Sequence, residues 1–262
     1  MMRDRVRWSV EDKVARLTLA RPEAGNALDM AMAAALQDAA DRVVKGAADG
    51  TVRVAVLEAE GPTFCVGGDL REFAGAEDRG QKVKEVADAL HRAILALRAC
   101  RVPVVSVVHG TAAGGGIGMA LAADIVLAAS EAKLRLAYTA GGLTPDCGAT
   151  WVLTQRLGPA RALDLALTNR VVTGAEAAAW GLVSRAVPAA ELPAESARVA
   201  EALRSGPAGA FAEAKRLVGA AQGRSLAEQL RDERDTIGRQ IGTPEAYEGI
   251  AAFFEKRTPE FD

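Results

Sequence analysis

Val102-Pro103-Val104-Val105-Ser106-Val107-Val108-His109-Gly110-Thr111-Ala112-Ala113-Gly114-Gly115-Gly116-Ile117-Gly118 decides the fold of this chain. A β-branched run, Val102 to Val108, leads into glycines, and a helix-like stretch follows them. An earlier segment repeats the arrangement: Val52 to Leu57 leads towards Phe64-Cys65-Val66-Gly67-Gly68-Asp69-Leu70. Bare glycines let a backbone approach a ligand closely, and the first N–H groups of a helix are unpaired at the positive end of its dipole. Two such termini can aim two N–H groups at one ligand oxygen, which is the design of an oxyanion hole. A thioester enolate suits such a hole.

The chain has 262 residues, half of them hydrophobic and a quarter charged, enough for one large domain or a domain with an appendage. A formal net charge of −2 gives no global field for nucleic acid or an anionic membrane. Nothing at Met1-Met2-Arg3-Asp4-Arg5 resembles a signal-peptide core, and no apolar run approaches the ~20 residues that span a bilayer. Cys65, Cys100 and Cys147 are too few and too scattered for a disulfide framework, so a cytoplasmic location is the default expectation. His91 and His109 are the only histidines, which argues against a metal site or a Ser-His-Asp triad; both read as structural.

Along the chain, Arg7-Val10 and Val14-Leu19 form an alternating hairpin about Glu11-Asp12-Lys13. Arg21 to Asn26 is a loop, and Asp29 starts an alanine-rich helix to about Lys45. A polar segment, Ala74 to Gln81, precedes a helix to about Cys100, and Ile125 to Ala128 is a further strand. Strands and helices alternate over short connections, so the class is α/β. From Ala194 only helical periodicity remains, broken at Ser205-Gly206-Pro207, Gly223 and Gly242-Thr243-Pro244. Residues 1–193 therefore read as the core and 194–262 as a C-terminal helical region. A dinucleotide fold fails on spacing: Gly114 and Gly116 are followed by Met119 where G-x-G-x-x-G needs its third glycine. No Gly-Lys-Ser/Thr follows either loop, which excludes a P-loop.

Several segments, in order, resemble the crotonase superfamily, the enoyl-CoA hydratase/isomerase fold. They are Arg21-Pro22 with Asn26-Ala27-Leu28, the two glycine segments, Ala122-Ala123-Asp124-Ile125, Gln155-Arg156-Leu157-Gly158, Ala177 to Val183, and Gly249 to Arg257. The resemblance implies a crotonase (ClpP-like) spiral of ββα units with C-terminal helices that drive homotrimers, often paired into hexamers. It implies an acyl-CoA ligand, with coenzyme A part of the substrate and no separate cofactor or metal. Its pattern places the oxyanion donors at Gly68 and Gly115, and the loop at Ala24 beside the adenine end of coenzyme A. Phe253 and Lys256 would reach coenzyme A, in the same or a neighbouring subunit; alternatively Lys256 is a helix-end cation. Asp69 reads as an anchor or cap for the helix it precedes, while Leu70 and Arg71 either line the ligand or serve core and surface.

Hydratases of this fold use two glutamates, and the matching positions here are Gly118 and Tyr138. Neither serves as a carboxylate base, so the expected reaction shifts to one that a single acid can run. Asp146, in Leu143-Thr144-Pro145-Asp146-Cys147-Gly148, stands where isomerase-like members, including the phenylacetate-pathway ring-opening group, carry an aspartate. It would take a proton from C2 of a 3-enoyl thioester and return it at C4. The competing reading is a helix N-cap, since Asp after Pro and before a helical run suits that role equally. Tyr138 lines the acyl pocket or donates a hydrogen bond, and Cys147 is a small packing residue. The alternatives are a hydratase, a lyase or hydrolase of the same fold, or an acyl-CoA-binding subunit with no activity of its own.

Overall fold

The computed structural model describes residues 4–261; Met1, Met2, Arg3 and Asp262 lie outside the described residues. Strand β1 (Val6–Glu11) pairs antiparallel with β2 (Val14–Leu19), and the alanine-rich helix α1 (Met30–Asp49) runs one turn beyond Lys45. Then come β3 (Val54–Ala59), the short β4 (Thr63–Cys65), α2 (Leu70–Gly75) and α3 (Arg79–Ala99). The second passage is β5 (Val104–Val108), β6 (Thr111–Ala113) and α4 (Gly115–Leu121). The third is β7 (Ile125–Ala129), β8 (Lys133–Arg135) and α5 (Ala149–Thr168), which is broken at Gly158 before Pro159. Strand β9 (Val172–Thr173), α6 (Gly174–Ala179) and β10 (Arg185–Val187) lead to the final helices. These are α7 (Leu192–Arg204), α8 (Ala208–Ala221), α9 (Leu226–Gln240) and α10 (Pro244–Glu255).

The strands form two sheets. One is six-stranded in the order β1-β2-β3-β5-β7-β10, and the other is four-stranded in the order β4-β6-β8-β9. Each ββα unit sends a long strand into the first sheet, then a short parallel strand into the second, then a helix. This corrects the expectation that β-branched runs enter the glycine loops directly: β4 and β6 stand between. A third unit, β7-β8-α5, follows the same path without a glycine signature, so the repeat extends beyond the two units legible in the sequence. The carboxyl ends of β4, β6 and β8, neighbours in one sheet, deliver three loops to one place.

Burial explains the long strands. Every residue of β5 is buried, as expected of a central parallel strand covered on both faces. Leu17, Leu19, Phe64, Leu121 and Leu127 are almost wholly inaccessible, and each such leucine contributes on the order of 2 kcal/mol. Helix α1 turns Met32, Leu36, Ala39, Ala40 and Val43 inward and packs against α3. Helix α7 packs on β3, β5 and β7. Lys215 of α8 reaches Asp124 at 2.7 Å and the Leu97 and Val102 carbonyls at 3.0 and 3.1 Å. Arg53, buried just before β3, donates to the carbonyls of Gly206 at 2.7 Å and Phe261 at 3.1 Å. Among the described residues, no helix is long and apolar enough to cross a membrane.

Candidate active site

The first loop follows β4. Leu28 forms a parallel bridge to Gly68: its N–H donates to the Gly67 carbonyl at 2.8 Å and its carbonyl accepts from Asp69 N–H at 3.1 Å. Those bonds use the flanking residues, so the N–H of Gly68 itself points to the opposite edge. Asp69 caps α2, accepting from the amides of Arg71 at 3.0 Å and Glu72 at 3.3 Å, as the sequence predicts. Arg21 Nη1 lies 2.6 Å from Asp69 and 3.1 Å from Asp29, which caps α1, so one guanidinium ties two helix starts together. Burial acts to raise the Asp69 pKa, but the Arg21 bond and the two amides outweigh it and hold the carboxyl below its ordinary value.

The second loop follows β6. Gly114, at φ 52° and ψ −132°, turns the chain sharply, and α4 begins at Gly115 with all of its residues buried. As the first residue of α4, Gly115 has an N–H without an intrahelical acceptor. At the other end Arg156 donates to the Leu121 carbonyl at 3.1 Å, placing a cation at the negative pole of α4. The two loops touch backbone to backbone. A side chain on Gly67 (φ +95°) would meet the Ala113 carbonyl at 3.0 Å and Gly115 N at 3.2 Å.

The third loop, between β8 and α5, brings the acid. Ala137 (φ 62°) and Cys147 (φ 50°) are both left-handed and bracket Tyr138 and Asp146, the kind of backbone strain that collects at functional sites. The Tyr138 hydroxyl donates to Asp146 Oδ1. Asp146 is not a cap: the N-cap of α5 is Gly148, with no side-chain bond. A Cβ on Gly115 would stand 3.6 Å from Asp146 Oδ1 and 3.1 Å from Cys147 Sγ, so the carboxylate lies beside the second glycine loop. Burial, reinforced by the Asp146 charge, pushes the Tyr138 phenol and the Cys147 thiol well above their ordinary pKa values. Burial also pushes the Cys65 thiol up to about 12.

His91 of α3 lies in this cluster. A ring nitrogen of His91, an oxygen of Asp146 and Cys147 Sγ lie within 4.8 Å of one another, the one such His/Cys/Asp/Glu set among the described residues. His91 Nε2 is buried without a hydrogen-bond partner. His109 keeps a structural role, its Nε2 2.8 Å from the Gly61 carbonyl. Nothing local in the sequence marks His91; only the packing of α3 brings it to a residue so distant in the chain.

Gly68, Asp69, Gly115, Tyr138 and Asp146 thus converge on the ends of β4, β6 and β8. Ala24 sits half-buried in a 3-10 turn, Pro22–Ala24; the adjacent Gly25 packs on Val66, a side chain there meeting Val66 Cγ1 at 2.9 Å. Leu70 and Arg71 are exposed on the first turn of α2, which sets Leu70 apart from the core reading. Phe253 and Lys256 are exposed at the end of α10, where Lys256 is the left-handed C-cap. Gly118 has no room for a larger side chain: a Cβ there would lie 2.2 Å from the Cys147 carbonyl.

The family model described as enoyl-CoA hydratase/isomerase matches residues 9–262. The chain belongs to the enoyl-CoA hydratase/isomerase family. A Rhodobacter capsulatus protein named "Probable enoyl-CoA hydratase" is 37% identical, over 98% of this chain and 97% of its own. The 1,2-epoxyphenylacetyl-CoA isomerase of Escherichia coli K12 is 36% identical over 96% of each. The crystal structure of an enoyl-CoA hydratase from Polaromonas superposes with a TM-score of 0.92 at 33% identity, covering 98% of this chain and 99% of that one. As an enoyl-CoA hydratase/isomerase family member the chain is an acyl-CoA enzyme, and the names of its relatives divide between hydration and isomerisation.

Proposed function

We propose that this enzyme shifts a double bond in an enoyl-CoA through a thioester enolate. The observation that carries the reading is the single carboxylate, Asp146, oriented by Tyr138 beside Gly115, with no carboxylate at Gly118 or Tyr138. The thioester oxygen is held between the N–H groups of Gly68 and Gly115. Asp146 removes a proton from C2, and the electron pair moves into a dienolate whose oxyanion faces both amides. The protonated acid then returns a proton at C4, re-forming the carbonyl with the double bond in conjugation. Tyr138, its phenol held protonated, keeps Asp146 in place and does not compete for the proton.

Coenzyme A is part of the substrate. The turn at Ala24 and the exposed Leu70 and Arg71 border its entry, and Phe253 and Lys256 close on it from α10 of this or a neighbouring subunit. The apolar residues exposed on α9 and α10 support assembly into trimers or hexamers.

Absorbance during incubation with a trans-3-enoyl-CoA tests the reaction, wild type beside Asp146→Asn. Growth of the conjugated 2-enoyl thioester band is expected with wild type, reduced in the variant by about 10²–10⁴-fold, the usual contribution of a general base. A flat wild-type trace with coenzyme A bound would reject this substrate class and favour a non-catalytic binder.

A further inference from the structure

We infer that His91 is the proton relay of this site, exchanging the proton held by Asp146 with solvent. The inference rests on the isomerase reading and assigns a residue to it. Four polar side chains meet here: Tyr138, Asp146, Cys147 and His91. Tyr138 is fixed as a donor to Asp146, and burial holds both its phenol and the Cys147 thiol protonated. Neither can accept what Asp146 takes from substrate. Imidazole is the one side-chain type in the cluster that takes up and releases protons readily near neutral pH. His91 has the position for it, with a ring nitrogen within 4.8 Å of an Asp146 oxygen and Nε2 buried without a partner. The residue is half-buried, with its Nε2 atom itself buried.

The steps balance. The C2–H bond breaks, its electron pair enters the enolate, and Asp146 gains the proton. Asp146 passes that proton through a bridging water to a ring nitrogen of His91, giving carboxylate and imidazolium, and the imidazolium loses it to solvent. The reverse transfer from solvent recharges Asp146, which protonates C4. A single carboxylate without a relay would instead return to C4 the proton it removed from C2.

Isomerisation of trans-3-hexenoyl-CoA in D2O distinguishes the two, with turnover followed by absorbance and deuterium at C4 of the product by mass spectrometry. Wild type is expected to place solvent deuterium in most product molecules. His91→Gln is expected to keep turnover within about tenfold while deuterium per product falls about tenfold or more, and Asp146→Asn to lose both. Equal deuterium per product in wild type and His91→Gln overturns the relay, as does wild-type product free of deuterium. If His91→Gln loses all turnover, His91→Ala with added imidazole decides: recovered deuterium incorporation supports the relay and no recovery overturns it. If wild type does not isomerise, the isomerase reading fails by itself. Exchange at C2 of saturated hexanoyl-CoA then reads the relay: loss in His91→Gln supports it, and unchanged or absent exchange overturns it.

Discussion

Asp146 follows a proline and precedes a helix, the usual setting of a cap, yet its carboxylate meets the Tyr138 hydroxyl and Gly148 takes the cap position. The sequence left both roles open because local pattern cannot tell which way a side chain turns. Tyr138 has a measurable consequence. A tyrosine ionises near pH 10 when unfolded, and in the fold burial first, then the Asp146 charge, hold it protonated to higher pH. Its stabilising contribution is therefore complete below pH 10 and is lost as pH rises towards the folded value, because unfolding then releases a proton. In urea titrations between pH 10 and 11, wild type should lose about 1 kcal/mol more than Tyr138→Phe. Parallel curves for the two proteins would show that the phenol ionises freely in the fold. His91 was not legible at all: it lies on a long amphipathic helix, and no spacing rule links it to Pro145-Asp146-Cys147.

Among the elements, the long strands and helix breaks were legible because β-branched runs and Gly/Pro interruptions carry them. The short strands were not. Thr63–Cys65, Thr111–Ala113 and Lys133–Arg135 are too brief and too mixed to show a period, and their pairing is imposed by neighbouring turns of the spiral. Helix α4 supplies a test of the isomerase reading. Its Gly118 packs so closely on Cys147 that Gly118→Glu must displace the backbone at the start of α5. We expect a loss of about 3 kcal/mol or more, seen as a fall in Tm of roughly 6–12 °C, with no hydration of a 2-enoyl-CoA gained. A variant that melts like wild type and adds water would show that α4 and the third loop separate easily.

For the whole molecule, the last helices are the outstanding surface. Leu226, Leu230, Ile237 and Ile241 are exposed along α9, and Tyr247, Ile250, Phe253 and Phe254 along α10. The α9 residues recur at helical spacing and form one stripe, a face that a closed symmetric assembly would cover. Light scattering should return a mass of three or six chains, and Leu230→Glu with Ile237→Glu should reduce it to one. A monomeric wild type would remove the assembly proposal. The helical character of this region was plain in the sequence, but which stripe faces inward depends on what α8 covers. Arg53 adds a matter of timing. One of its two recorded acceptors is the carbonyl of Phe261, 208 residues further along the chain. During synthesis, β3 emerges long before that acceptor exists, so an early-closing sheet would trap a guanidinium deprived of one of its acceptors. The nascent chain thus has reason to leave Arg53 unburied until Phe261 has been added, which ties the burial of an early strand's entrance to a residue made much later.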